Sequence, residues 1–158
     1  PARTRTSYPQ TLPITSIEHT SLEVLDEEKA RCFYVGLLGF KEIVRPDFDT
    51  DGYWLQGFGI KVHVAKAPTA GRVRYRREEA ARREAKGWEG LPTGDHLAFL
   101  TDNLHGCEKI LQEAAIPHKK VGPGPQGAVQ IFFFDPDGNA IEVGDCAPPV
   151  DSKHCAVR

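Results

Sequence analysis

An internal repeat constrains this chain more tightly than its composition does. Four strand-like stretches each carry one metal-competent side chain, and the four fall into two matched pairs: His19 in I-E-H-T-S-L-E-V with His63 in G-I-K-V-H-V, and His96 in G-D-H-L-A-F-L with Glu142 in G-N-A-I-E-V. His63 follows His19 by 44 positions and Glu142 follows His96 by 46. The second donor of each pair also stands four residues after a glycine, Gly59 or Gly138. Such a chain folds as two copies of one module, each offering two ligands to a shared metal.

The local patterns give the module its order. Residues 15–24 alternate like a strand, and Asp26 is a fitting N-cap for a helix through D-E-E-K-A-R-C-F-Y-V-G-L-L that Gly39 stops. Ala30, Phe33, Tyr34, Leu37 and Leu38 recur at helical spacing, so one face of that helix packs inward. Strands over 40–45, 52–57 and 59–66 follow, punctuated by Pro46, Asp49, Gly52 and Gly57. From His96 the order returns: a strand at 95–101, a helix at 103–116 with Leu104, Cys107, Ile110, Leu111 and Ala114 on one side, then strands at 118–121, 128–134 and 139–144. The D-P-D-G turn at 135–138 joins the last two as a hairpin. The expected class is α+β, with a βαβββ unit used twice. Between the units, residues 73–86 are rich in Arg, Glu and Ala with opposite charges at i, i+4, which predicts a solvated helix. The division that follows is a polar arm at 1–13, a module at 14–67, a helical connector at 68–93, a module at 94–146 and a tail at 147–158.

Strand residues two apart share a face. Alongside His19 come Ile17, Ser21 and Glu23; alongside His63 come Lys61 and Ala65; His96 shares its side with Ala98 and Leu100, and Glu142 with Ala140 and Gly144. The opposite faces are apolar and can pack on a helix, whereas the donor faces are largely small or polar and leave room for a ligand. A single strand histidine is usually a hydrogen-bonded core or surface residue, and a lone glutamate among aliphatics is usually exposed. The joint recurrence of three imidazoles and a carboxylate is what points to a metal site. His105, His118 and His154 lack that context and are read as surface residues.

The bulk numbers exclude other classes. With 158 residues, 27% charged and 40% hydrophobic, the chain has the make-up of one soluble domain. A net charge of −2 gives no reason to expect nucleic acid as a partner, and no apolar run is long enough to span a bilayer. The start, P-A-R-T-R-T-S, is basic without an apolar core, which reads as a flexible arm in a cytoplasmic protein, the alternative being the remnant of an organellar transit peptide. Cys32, Cys107, Cys146 and Cys155 show no C-x-x-C spacing. Cys32 and Cys107 are expected to be small buried residues, Cys146 and Cys155 could pair, and the whole fits a reducing compartment.

With these motifs assembled, the chain resembles the vicinal oxygen chelate superfamily, which contains glyoxalase I, extradiol dioxygenases, and fosfomycin-resistance and bleomycin-binding proteins. The resemblance covers residues 14–146 and rests on I-E-H-T-S-L-E-V with F-Y-V-G-L-L-G-F, on G-D-H-L-A-F, and on F-F-F-D-P-D-G-N-A-I-E-V. It is strongest toward the small glyoxalase-like proteins of plants and microbes. It implies a curved mixed sheet around a cleft with one divalent metal (Ni, Zn, Co, Mn or Fe) on its floor. His19, His96 and Glu142 match the common ligand positions, and His63 falls where glyoxalase I has a fourth ligand, a glutamate. A neutral imidazole there removes one negative charge and makes the metal a stronger Lewis acid.

Function follows from the same resemblance. It implies a glyoxalase I-like, metal-dependent lyase or isomerase that chelates two neighbouring oxygens of a small substrate, with Glu142 leaving the metal to shuttle a proton. Short bacterial glyoxalase I enzymes hold glutathione with an arginine four residues after the first ligand. Glu23 stands there and would repel the glutathione carboxylate, although the basic connector offers a substitute cation. An extradiol Fe(II) dioxygenase is the first alternative, with His63 as acid–base, but that chemistry's tyrosine is Phe132 here and no histidine precedes it in G-P-G-P-Q-G-A-V-Q. A metal-free binding or resistance protein is the second. Trp54, Phe58, Trp88 and Phe132 are candidate substrate walls, and a homodimer is the expected assembly.

Overall fold

A computed structural model describes residues 12, 13, 15–45, 52–88, 94–124 and 127–145. The first eleven positions of the arm, the tail, Pro46, Asp49, Cys146, Cys155 and His154 lie outside the described residues. The βαβββ order occurs twice. The first half contains β1 (His19–Val24), α1 (Glu27–Arg31), β2 (Lys41–Ile43), β3 (Gly52–Gly57) and β4 (Ile60–Lys66). The second contains β5 (His96–Leu100), α3 (Leu104–Glu113), β6 (His118–Val121), β7 (Gln130–Phe134) and β8 (Ala140–Gly144), and α2 (Ala70–Ala85) connects them. Each half makes a four-stranded mixed sheet, in the order β1-β4-β3-β2 and β5-β8-β7-β6. The first and last strands of each half pair in parallel, and the other neighbours are antiparallel.

Local chemistry explains the helix boundaries. The Asp26 carboxylate caps α1 by accepting from the Lys29 amide at 3.1 Å, with Glu27 and Glu28 complementing the positive end of the helix. The helix then widens into a π-helical stretch over Cys32–Leu37, where the Leu38 amide reaches the Phe33 carbonyl five residues back at 3.0 Å. That widening keeps Phe33 and Tyr34 both buried. The expected single helix to Gly39 is therefore two geometries in series. Cys32 is exposed, contrary to the buried role expected of it, because it stands about 200° around the helix from the buried Ala30. Cys107 is half-buried and His105 exposed, and His118 donates from Nδ1 to the Ile116 carbonyl at 2.9 Å.

One core serves both sheets. Val24, Tyr34, Phe40, Leu55, Val62 and Val64 from the first half cluster with Ile131, Phe133 and Ile141 from the second, each residue worth roughly 1.5–3 kcal/mol when fully buried. Of these, Val24, Leu55, Val62, Val64, Ile131, Phe133 and Ile141 are strand positions on the faces opposite the donors. The halves are also joined by polar bonds: the Tyr34 hydroxyl donates to Asp135 Oδ2 at 2.8 Å, and the Leu25 amide donates to Asp137 Oδ1 at 3.3 Å. The connector helix is docked rather than merely solvated. Arg77 reaches the fully buried Asp137 at 2.5 Å, and Arg76 donates to the Glu23 carbonyl at 2.6 Å. Gly138 permits this seating, since a Cβ there would stand 2.6 Å from the Arg76 carbonyl oxygen, and its φ of +80° suits glycine.

Candidate functional site

In the first sheet, His63 sits mid-strand on β4 with Ser21 beside it on β1 and Trp54 beside it on β3. His19, two residues before Ser21, shares that face. The two imidazole centroids are 6.4 Å apart, and Trp54 lies against both, stacked on His63 at 4.9 Å and edge-on to His19 at 4.7 Å. His19 Nδ1 donates to the Glu18 carboxylate, which Lys61 also holds at 2.5 Å. That leaves His19 Nε2 as the nitrogen with a lone pair. His63 Nε2 is buried and has no hydrogen-bond partner among the described residues. Burial, then the nearby His19 and Arg45, lower the pKa of His63 and favour its neutral, donor-capable ring.

In the second sheet, Glu142 sits mid-strand on β8 between Ala98 and Phe132, and His96 is two residues before Ala98. His96 Nδ1 donates to the Gly94 carbonyl at 2.7 Å, so Nε2 carries the lone pair, and it faces Glu142 Oε2 at 3.0 Å. Two acceptors facing at that distance call for a shared proton or a cation between or beside them. Phe132 packs edge-on to His96 at 6.2 Å. Gln130 Nε2 donates to the other Glu142 oxygen at 2.6 Å. The sequence reading passed over Gln130, yet the hairpin register carries the signal, because residues 130, 132 and 134 of β7 lie on the Glu142 face.

A groove of about 700 Å³ runs from His96 under α2, lined among others by Ser21, Glu23, Arg76, Arg83 and Phe134; His19, His63 and Glu142 are not in its lining. Arg72 and Arg76 of α2 stand 3.4 and 3.7 Å from Glu23, so the carboxylate expected to repel an anionic ligand is countered by the connector. Trp88 stacks at 5.3 Å on Phe134, which lines this groove, and is not itself in the lining. Phe58 does not join the donors. It lies on the β3–β4 turn, 65% exposed, against Phe40 and Phe99. Thus His19, His63 and Trp54 meet in one half, and His96, Glu142 and Phe132 in the other. All four donors are among the described residues, and no group of three His, Cys, Asp or Glu side chains there is close enough to enclose a metal ion. The donor chemistry, three imidazoles and one carboxylate with an orphaned His63 nitrogen, suits a borderline divalent ion.

This fold, with a matched pair of donors in each half, defines a class of protein before any relative is considered. The chain belongs to the Glyoxalase/Bleomycin resistance protein/Dioxygenase superfamily, which matches residues 16–143. It is 32% identical over 138 residues to Glyoxylase I 4 of Arabidopsis thaliana, covering 85% of this chain and 73% of that one. It is 30% identical over 132 residues to lactoylglutathione lyase of Salmonella typhimurium, covering 79% and 88% respectively. Its fold matches a variant of the fosfomycin resistance protein FosX from Listeria monocytogenes, complexed with Mn(II) and 1S,2S-dihydroxypropylphosphonic acid, with a TM-score of 0.63 at 14% identity over 85% of this chain and 94% of that one. The lyase relatives support a glyoxalase-like function. No helix among the described residues is long and apolar enough to cross a membrane.

Proposed function

We propose that this chain is a metal-dependent lyase or isomerase of the glyoxalase I type, acting on a small substrate with vicinal oxygens. His19, His63, His96 and Glu142 would hold one divalent ion, chosen from Ni, Zn, Co, Mn and Fe. The observation that carries this reading is the His96–Glu142 contact, in which the Gly94 carbonyl fixes the proton on Nδ1 and turns a bare Nε2 toward a carboxylate oxygen 3.0 Å away. Such an ion, when bound, would chelate neighbouring substrate oxygens and stabilise the negative charge that develops on them. Glu142 Oε2 is the proton-transfer atom, accepting a proton from the substrate and returning it at the adjacent carbon. His63, kept neutral by burial, serves as a donor through Nε2. Trp54 and Phe132 bracket the donors with apolar surface, and Trp88 extends that wall through Phe134.

The same reading makes the protein a homodimer in which the His19–His63 pair of one copy faces the His96–Glu142 pair of another. Among the described residues of one chain no third donor joins either pair. Ile17 and Leu100, on the donor faces beside His19 and His96, are exposed apolar residues that a second copy would cover. Elemental analysis of protein purified anaerobically, without affinity metal, tests the site, and subunit mixing tests the assembly. One ion per four-donor set is expected. When inactive His19→Ala and Glu142→Ala chains are mixed, hybrid dimers carry one intact set, so about a quarter of the wild-type metal capacity should return. No recovery would place each site within a single chain. Absence of metal uptake after reconstitution would overturn the enzyme reading in favour of a metal-free binder. Iron with cleavage of a catechol ring would replace it with the dioxygenase.

A further inference from the structure

The two oxygens of Glu142 are held differently. Oε2 faces His96 Nε2 at 3.0 Å, whereas Oε1 accepts a hydrogen bond from Gln130 Nε2 at 2.6 Å. The backbone makes this second contact possible. Gln130 is directly opposite Gly144 in the β7–β8 pair, and Glu142 is its diagonal neighbour on the same face. Gln130 and Glu142 converge beside Gly144: a Cβ built there would be in ordinary van der Waals contact with Gln130 Cγ at 3.6 Å and Glu142 Oε1 at 3.8 Å. The amide must present its nitrogen, since an ionised carboxylate only accepts.

We propose that Gln130 is a positioning residue that keeps Glu142 a one-oxygen donor, and thereby reserves two adjacent coordination positions for a bidentate ligand. This rests on the reading of Glu142 as a metal donor. Coordination arithmetic supplies the reason. Three imidazoles and one carboxylate oxygen would fill four positions of a six-coordinate ion and would leave two for a pair of vicinal oxygens. A carboxylate free to bind through both oxygens would take a fifth and leave one. Gln130 occupies Oε1 and prevents that, so it selects ligands that chelate over ligands that bind through a single atom. Were Oε2 to carry a proton, the same hydrogen bond from Gln130 would keep the carboxylate oriented toward the substrate.

The test uses the full-length protein loaded with Co(II), whose visible spectrum reports coordination, in the wild-type and Gln130→Leu forms. The probes are acetohydroxamate, which binds through two vicinal oxygens, and azide, which binds through one atom. The expected result is an altered Co(II) spectrum in Gln130→Leu before any probe is added, with acetohydroxamate affinity reduced about 10–100-fold and azide affinity unchanged. Gln130→Glu, which retains the length but has no N–H to donate, should share the spectral change. An unchanged spectrum with equal affinity for both probes in wild type and variant would overturn the proposal. So would an equal loss of both probes accompanied by a lowered melting temperature, which would mark Gln130 as merely structural. Failure of the wild-type protein to bind Co(II) at all would instead refute the metal-site reading on which the proposal rests.

Discussion

The two halves share one register and differ in what they build on it. His63 stands between Ser21 and Trp54 in the first sheet, and Glu142 stands between Ala98 and Phe132 in the second, position for position. In the first half a broad indole lies against both imidazoles, whose centroids are 6.4 Å apart. In the second, the smaller ring of Phe132 leaves donor and carboxylate 3.0 Å apart, with Gln130 on the remaining oxygen. The hairpin turns diverge in the same sense. The β3–β4 turn exposes Phe58, whereas the β7–β8 turn buries Asp135 and Asp137, with Asp135 accepting from Tyr34 and from the Asp137 and Asn139 amides. Duplication of a backbone therefore fixes where donors can stand, and a few flanking side chains decide how each pair behaves.

Substitutions at the donors give the largest expected effect. His96→Ala or Glu142→Ala should reduce metal affinity by at least 100-fold, because each breaks the pair already in contact, and His19→Ala should act likewise; removal of a ligand exceeds the roughly 10–100-fold loss typical of a supporting residue. His63→Ala discriminates between roles: severe loss of affinity marks a ligand, and retained affinity with lost turnover marks an acid–base. Calorimetric titration with Co(II) and Zn(II) would read this, and wild-type affinity in all four variants would refute the shared-site reading. The turns come next. Asp137→Ala should cost about 2–3 kcal/mol in urea unfolding, since it strands Arg77, whose partial exposure moderates the loss. Phe58→Ala should cost about 1 kcal/mol, from its contacts with Phe40 and Phe99. A reversed order would mean that the second turn is not the anchored one.

The smallest effect is a pH dependence. Burial pushes the Tyr34 hydroxyl well above its ordinary value of 10, with the Asp135 charge adding to it, and burial pushes Tyr53 up to about 12. In the unfolded chain both ionise near pH 10, while the native state holds them neutral. Their contribution to stability is thus fully present below pH 10 and lost as the pH rises through 12 and beyond. Tyr34→Phe and Tyr53→Phe should each flatten the alkaline fall in unfolding free energy measured between roughly pH 9 and 12. An unchanged slope in both variants would mean that other groups govern it.

The parts of this architecture readable in the sequence are those fixed by short-range periodicity. Alternation placed the donors on faces opposite Leu22, Val62, Leu97 and Ile141, and the D-P-D-G turn at 135–138 marked the second hairpin. What escaped depends on contacts between distant residues. The π-helical stretch forms because Phe33 and Tyr34 are both buried, Phe33 against Phe133 of the other sheet, a demand that no local pattern states. The docking of the connector rests on Arg77 and Asp137, 60 positions apart, so its charges looked like an ordinary solvated face. Cys32 was misjudged for a simpler reason: apolar character was given more weight than helical phase. Gln130 was readable in principle, but only after the hairpin register was taken seriously as a map of side-chain neighbours.

The position of Trp54 has an optical consequence. Its indole is stacked on one imidazole and edge-on to another, while the chain's only other tryptophan, Trp88, is stacked on Phe134. A positive charge arriving on His63, by protonation or by a coordinated ion, falls directly against the face of the Trp54 ring, where it alters the energy of the excited state. Emission from Trp54 therefore reports the charge of the first donor pair, and emission from Trp88 supplies an internal baseline in the same molecule. The side chain that separates the two imidazoles also makes their occupancy visible without any added label.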